Sequence, residues 1–179
     1  ILSWLAVDGT AAIVEFPGVL YRGGAEQKIR KYLIENNYVD AVIQLPPDLF
    51  FGVTIATCIL VLKKSKPTND VLFIDASAEF KRIGSKNKLT DDHQQRILDV
   101  YVARNDVDHY SRVVPNSVIA DRDYQIPVTS YIERKRTRED VDIVQLNAEI
   151  AEIVARQSVL RASVDLVVAE LEESPDATR

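Results

Sequence analysis

Ala56-Thr57-Cys58-Ile59-Leu60-Val61-Leu62 is almost wholly apolar and rich in β-branched residues. A run of that length and type reads as a strand buried on both faces, as in the middle of an α/β sheet. Val39 to Leu45, stopped by Pro46-Pro47, is a second such run, and Val71-Leu72-Phe73-Ile74-Asp75 is a third. Ala11-Ala12-Ile13-Val14-Glu15-Phe16, closed by Pro17-Gly18, is a fourth. Between the fourth run and the second, Ile29, Tyr32 and Leu33 mark one face of an amphipathic helix over residues 25–36. The order strand, helix, strand, loop, strand, strand predicts an α/β architecture that finishes in a hairpin. Four strands are few for a doubly wound domain. Ile1-Leu2-Ser3-Trp4-Leu5 reads as the last turn of an apolar helix, and no Met occurs. The chain is therefore expected to be the C-terminal fragment of something larger, with residues 1–76 the last part of the sheet.

Residues 77–138 are expected to form a mixed helical and loop extension. Lys81, Arg82, Lys86 and Lys88 gather around Gly84-Ser85 as a polar basic loop. Thr90 with Asp91 and Asp92 is a helix start, and Ile97, Leu98, Tyr101 and Val102 follow at helical spacing. Residues 107–132 carry Pro115 and Pro127 and read as irregular. From Ile143 the spacing becomes strict: Ile143, Leu146, Ile150, Ile153, Gln157, Leu160, Val164, Val167 and Leu171 alternate by three and four. That is an a/d heptad over about four repeats, expected to span residues 139–173 as a subunit-association helix, with 174–179 a disordered tail. So narrow a seam must pack on another helix. Gln157 falls at an a position, where a polar residue fixes register or partner.

The 179 residues are 46% hydrophobic and 27% charged, enough to bury a core. The net charge of −5 rules out a generally basic nucleic-acid coat but not a local patch. Residues 139–179 carry net −7 and residues 1–138 net +2, so a DNA-facing surface belongs on the body. One cysteine, Cys58, excludes a disulfide framework and a multi-Cys zinc site, and two separated histidines, His93 and His109, argue against a His-rich metal site. No apolar run reaches the roughly 18 residues of a membrane span, so a cytoplasmic protein without a membrane partner is the expectation. Gly23-Gly24 before a helix reads as a tight turn, with an anion cradle as the alternative. Phe50 and Phe51, adjacent in a loop, cannot both enter one core, which would leave one free to stack on a base, with both as loop anchors the alternative.

Several of these stretches resemble one family. They are Gly18-Val19-Leu20-Tyr21-Arg22-Gly23-Gly24-Ala25-Glu26 with Lys28 to Leu33, Ile43-Gln44-Leu45-Pro46, Leu49-Phe50-Phe51-Gly52, Thr57 to Leu62, Phe73-Ile74-Asp75-Ala76 and Tyr110-Ser111-Arg112-Val113-Val114. They look like the modification subunit of type I restriction–modification systems, nearly continuously from residue 2 to about 133. The resemblance implies an S-adenosylmethionine-dependent N6-adenine DNA methyltransferase. Its fold would be the class I, Rossmann-like methyltransferase sheet with an antiparallel hairpin edge, followed by a helical tail. The implied partners are double-stranded DNA and the specificity and restriction subunits of the same system.

The family's Gly-rich cofactor motif and its Asn-Pro-Pro-Tyr/Phe catalytic motif do not occur in this sequence. Pro46-Pro47 follows Leu45 and lacks the needed amide. The fragment alone is therefore expected to bind S-adenosylmethionine poorly and not to methylate. The resemblance places Phe50, with Phe51 beside it, at the aromatic that holds the flipped base, although Val53 and Ala56 depart from the family's usual loop. Arg22, Lys28, Lys81, Arg82, Lys86 and Lys88 are expected phosphate contacts. The rival readings are a helical assembly module without a catalytic role and a homodimeric coiled coil joined to an α/β domain.

Overall fold

A computed structural model describes residues 1–133 and 143–173. The chain divides into two compact units, 1–135 and 136–179. In the first, β1 (Thr10–Glu15) leads through a 3-10 turn (Pro17–Leu20) to α1 (Ala25–Glu35), then β2 (Val39–Gln44), β3 (Cys58–Lys63) and β4 (Asp70–Asp75). A small hairpin, β5 (Lys81–Ile83) and β6 (Lys86–Lys88), precedes α2 (Asp91–Ala103), β7 (Ser111–Pro115) and α3 (Asn116–Ala120). Residues 1–5, expected to end a helix, make a single turn in which Leu5 N donates to Ile1 O at 3.1 Å.

The local signals explain the elements. Gly24 caps α1 with φ +71°, a value that favours glycine. Pro46 and Pro47 have no N–H to continue β2. Thr90 accepts from His93 N while His93 Nδ1 accepts from Thr90 N, a reciprocal cap that starts α2.

The main sheet has the order β1-β3-β2-β4-β7. β3 runs antiparallel to both β1 and β2, β4 runs parallel to β2, and β7 closes the other edge antiparallel to β4. The hairpin expected from the runs at 56–62 and 71–75 does not form. β3 and β4 lie on opposite sides of β2, so β3 is an interior antiparallel strand and the antiparallel edge strand is β7. The 64–69 connection crosses the start of β2, where Asn37 Nδ2 donates to Thr68 O at 2.9 Å and Lys66 Nζ donates to Val39 O at 2.5 Å. Hydropathy marks β3 as buried but says nothing about which strands flank it. Residues 111–115, expected to be irregular, supply the fifth strand. Pro115 is tolerated there because it ends an edge strand.

Both faces of the sheet are covered. Leu33 and Ile34 of α1 and Ile119 of α3 pack with Val42, Leu60 and Phe73 on one face. Ile97, Val100 and Tyr101 of α2 pack with Val61, Leu72 and Ile74 on the other. This is a mixed α/β layer structure.

In the second unit, α4 (Ile143–Glu173) is a continuous helix of 31 residues, about 46 Å at 1.5 Å per residue. Alanine recurs at 148, 155, 162 and 169, a strong helix former on the side away from the seam. The apolar seam residues are 45% to 70% exposed, and Gln157 is exposed among them. Residues 139–142 of the expected helix and the expected tail 174–179 lie outside the described residues. Among the described residues no helix is long and apolar enough to cross a membrane.

Candidate nucleic-acid interface

β1, β2 and β4 all end on one side of the sheet, at Glu15, Gln44 and Asp75, and β3 begins there at Cys58. Three connections rise from that side: 16–24, 45–57 and 76–90. Ligands of open α/β sheets sit outside the carboxyl ends of the strands. All the cations and aromatics singled out in the body lie on these connections, except Lys28, which stands exposed one turn into α1.

Phe50 and Phe51 occupy the tip of the 45–57 connection. Phe51 is fully exposed and Phe50 is 38% exposed, so neither is a core anchor. The β5–β6 hairpin braces this loop. Asn87, buried in β6, donates from Nδ2 to Pro47 O at 2.8 Å and from its backbone N to Asp48 O at 3.1 Å. Arg82 Nη1 lies 3.1 Å from both Asp48 Oδ2 and Asn87 Oδ1. Lys86 Nζ donates to Phe50 O at 3.3 Å. The structure thus joins the aromatic loop and the basic segment into one surface, and the basic segment is a hairpin, not a loop.

The hairpin's charges are poorly neutralised. Lys81 and Lys88 are direct cross-strand partners, a like-charge pair that costs stability in an isolated hairpin. Among the described residues, Lys81, Lys86 and Lys88 have no carboxylate within 4.0 Å. Arg82 is paired with Asp48. On the other side of the loop, Arg22 faces Glu26 at 3.6 Å and shares a cleft with Ile55 and Ala56.

Sequence reasoning did not single out Asn87 or Asp48. Their role depends on contacts about 40 residues apart, and only the φ of +55° at Asp48 marks a special backbone position. Behind the loop, Gln44 Nε2 donates to Thr57 O at 3.1 Å and ties the β2 end to the approach of β3. Cys58 is fully buried, and burial pushes its thiol up to about 11, so it stays protonated at neutral pH. Glu79 pairs with Arg96 at 3.0 Å, and Arg96 lies 4.5 Å over the Tyr110 ring, which fastens α2 beside the site. Among the described residues no group of three or more His, Cys, Asp or Glu is placed to hold a metal ion.

A mixed sheet with an interior antiparallel strand and a basic, aromatic surface at its carboxyl end has counterparts among known proteins. The N-6 DNA methylase family matches residues 1–140, and the chain belongs to that family. Its similarity extends to type I restriction enzyme methylase subunits. The MpnII methylase subunit of Mycoplasma pneumoniae is 42% identical over 168 residues, 93% of this chain and 31% of that protein. The MjaVII methylase subunit of Methanocaldococcus jannaschii is 36% identical over 151 residues, 81% of this chain and 26% of that protein. The chain therefore spans about a third or less of these relatives. The crystal structure of the type I restriction–modification methyltransferase subunit from Streptococcus thermophilus superposes with a TM-score of 0.68 at 41% identity, over 70% of this chain and 27% of that one. The type I restriction enzyme EcoKI M protein superposes with a TM-score of 0.56 at 20% identity, over 96% of this chain and 43% of that one, a likeness of fold.

Proposed function

We propose that the chain is the C-terminal portion of the DNA methyltransferase subunit of a type I restriction–modification system. In this reading its sheet completes a class I methyltransferase fold, its carboxyl-end surface contacts DNA, and α4 docks on the specificity subunit. The observation that carries the reading is the bracing of the Phe50–Phe51 loop by the basic β5–β6 hairpin, supported by the methylase family match over residues 1–140.

An enzyme that modifies a base must first take it out of the stack. The cations at Arg22, Lys28, Lys81, Arg82, Lys86 and Lys88 position the duplex through its phosphates. Phe50, with Phe51, then offers a stacking face to the extruded adenine. S-adenosylmethionine supplies the methyl group in such enzymes. In this reading the chain by itself binds it poorly. Its one glycine pair ahead of a helix is accounted for by the φ of +71° at Gly24, and no Asn-Pro-Pro-Tyr/Phe motif is present. The chain's share of the work is binding and orientation.

Two measurements on the full-length methylase assembled with its specificity subunit test the reading. Phe50→Ala with Phe51→Ala is expected to cut kcat/KM for methylation by about 5- to 150-fold, the loss of one base–aromatic stack of about 1–3 kcal/mol. Unchanged methylation would remove the loop from the base site. For the six cations, counterion release makes the slope of log affinity against log salt shallower by about 5 when all six become Ala. A slope that does not move would show that the phosphates lie elsewhere.

A further inference from the structure

The β5–β6 hairpin divides its side chains between two faces. Lys81 pairs with Lys88 and Ile83 with Lys86, while Arg82 pairs with Asn87. Directly opposed residues of an antiparallel ladder share a face, and neighbours along a strand alternate. One face therefore carries Arg82 and Asn87, the two side chains bonded to Asp48 and Pro47 of the 45–57 connection. The other carries Lys81, Lys86 and Lys88 and, among them, Ile83, which is 53% exposed.

The hairpin is stiff where it is held and free where it ends. Asn87 is buried and spends both its side-chain amide and its backbone N–H on the 45–57 connection. Gly84 and Ser85 make a two-residue turn, with Gly84 at φ +59°. A Cβ at Gly84 would meet nothing within 4 Å beyond its chain neighbours, so the tip stands in open space. Lys81 and Lys88 sit two residues behind Ile83 and Lys86, a set-back of about 7 Å from the tip pair.

We propose that the hairpin enters the DNA major groove tip first, with Ile83 against the C5-methyl group of a pyrimidine and Lys81 and Lys88 on the phosphates of the two rims. The inference rests on the DNA-methyltransferase reading above and adds a sequence-reading contact, which phosphate contacts alone do not give. The dimensions fit. The major groove is about 12 Å wide and about 8.5 Å deep and admits a two-stranded ribbon. With Ile83 near the floor, the set-back of about 7 Å leaves the lysine pair level with the rims. Two lysines opposed across the strands repel each other until anions lie beside them. A protein partner fits this face less well, because lysine is depleted from protein–protein interfaces and one isoleucine offers little apolar area.

The test uses the full-length methylase with its specificity subunit and duplexes containing the recognition site. Each pyrimidine within one helical turn of the target adenine is changed in turn between its C5-methylated and unmethylated forms, thymine to uracil or cytosine to 5-methylcytosine. Base pairing stays intact throughout. Wild type is expected to change affinity by about fourfold at one base pair, the worth of one buried methyl group. Ile83→Ala abolishes that dependence, and Ile83→Leu retains it. A merely structural role for Ile83 would instead lower affinity for every duplex alike. Lys81→Ala with Lys88→Ala makes the slope of log affinity against log salt shallower by about 2.

A methyl dependence that is flat in wild type, or that survives Ile83→Ala, would overturn the proposal. If it is flat while the lysine variant still changes the salt slope, the hairpin runs along the phosphates outside the groove and the methyltransferase reading stands. If the lysine variant leaves the slope unmoved as well, the hairpin makes no DNA contact, and that part of the reading falls with the proposal. Association of Ile83→Ala with the specificity subunit, followed by sedimentation, is expected within twofold of wild type. A loss there with an unaltered methyl dependence would overturn the proposal by assigning the hairpin face to protein docking.

Discussion

Asp40→Ala is expected to lower the unfolding free energy of the α/β unit by about 3 kcal/mol, the low end for stripping one partner from a buried ion pair. Asp40 lies in β2 with its side chain 3% exposed. It accepts from Tyr101 Oη at 2.6 Å and Arg104 Nη1 at 2.9 Å, and Lys63 Nζ lies 3.0 Å away. Arg104 also reaches Asp70 at 2.6 Å. One carboxylate thus ties β2 to the neighbouring strand β3 and to both α2 and its cap. Lys63 and Arg104 are themselves partly exposed, and Arg104 keeps Asp70, which holds the figure at the low end. Asp40→Asn keeps an acceptor for Tyr101 and loses the charge, so its cost is smaller. Burial opposes ionisation of Asp40. The hydrogen bonds from Tyr101 and Lys63 and the charges of Arg104 and Lys63 outweigh it and hold the carboxyl below the usual range. A folded-state pKa below the unfolded one means the stabilisation is complete above about pH 4 and is lost as pH falls through the folded value. Denaturant titration of wild type and Asp40→Asn at pH 7 and at pH 3 checks this. The gap between them narrows at the lower pH, and a gap that widens would contradict the assignment.

That same residue shows what could be read from the chain and what could not. Val39 to Leu45 was legible as a buried strand because hydropathy is local. A lone Asp inside it signals a buried charge in need of partners. Those partners come from 23, 61 and 64 residues away, and no local pattern points to them. The helices α1 and α2 were legible for the same local reason, each having its period and its cap within reach. The position of β3 between β1 and β2 was not, because an all-apolar strand looks alike beside any neighbour. The site divides the same way. Phe50, Phe51 and the hairpin lysines declare themselves by residue type. The bracing by Asn87 exists only once two separate connections meet at one end of the sheet.

Ile150→Asp with Ile153→Asp is expected to weaken association of the chain with its specificity subunit by about a thousandfold, while the α/β unit keeps its unfolding transition. The proposal that α4 is the docking element rests on its surface. Both isoleucines are at least half exposed, and the seam from Ile143 to Leu171 repeats over the helix's whole described length. Val154 and Val168 are also exposed and lie four residues beyond Ile150 and Val164, which broadens the stripe to the width a bundle face needs. Burying an isoleucine is worth about 2 kcal/mol, so losing two removes about 4 kcal/mol, and each aspartate adds a desolvation cost. Gln157 interrupts the stripe at its middle. Gln157→Leu should therefore tighten association and loosen partner choice, since a polar a-position residue sets register at a cost in stability. Sedimentation of the wild-type chain alone, over a range of concentration, separates the two occupants of the seam. A chain that stays monomeric alone and associates only with the specificity subunit supports docking. A chain that dimerises through the same two isoleucines, and still does so when the specificity subunit is present, would make α4 a self-association helix instead.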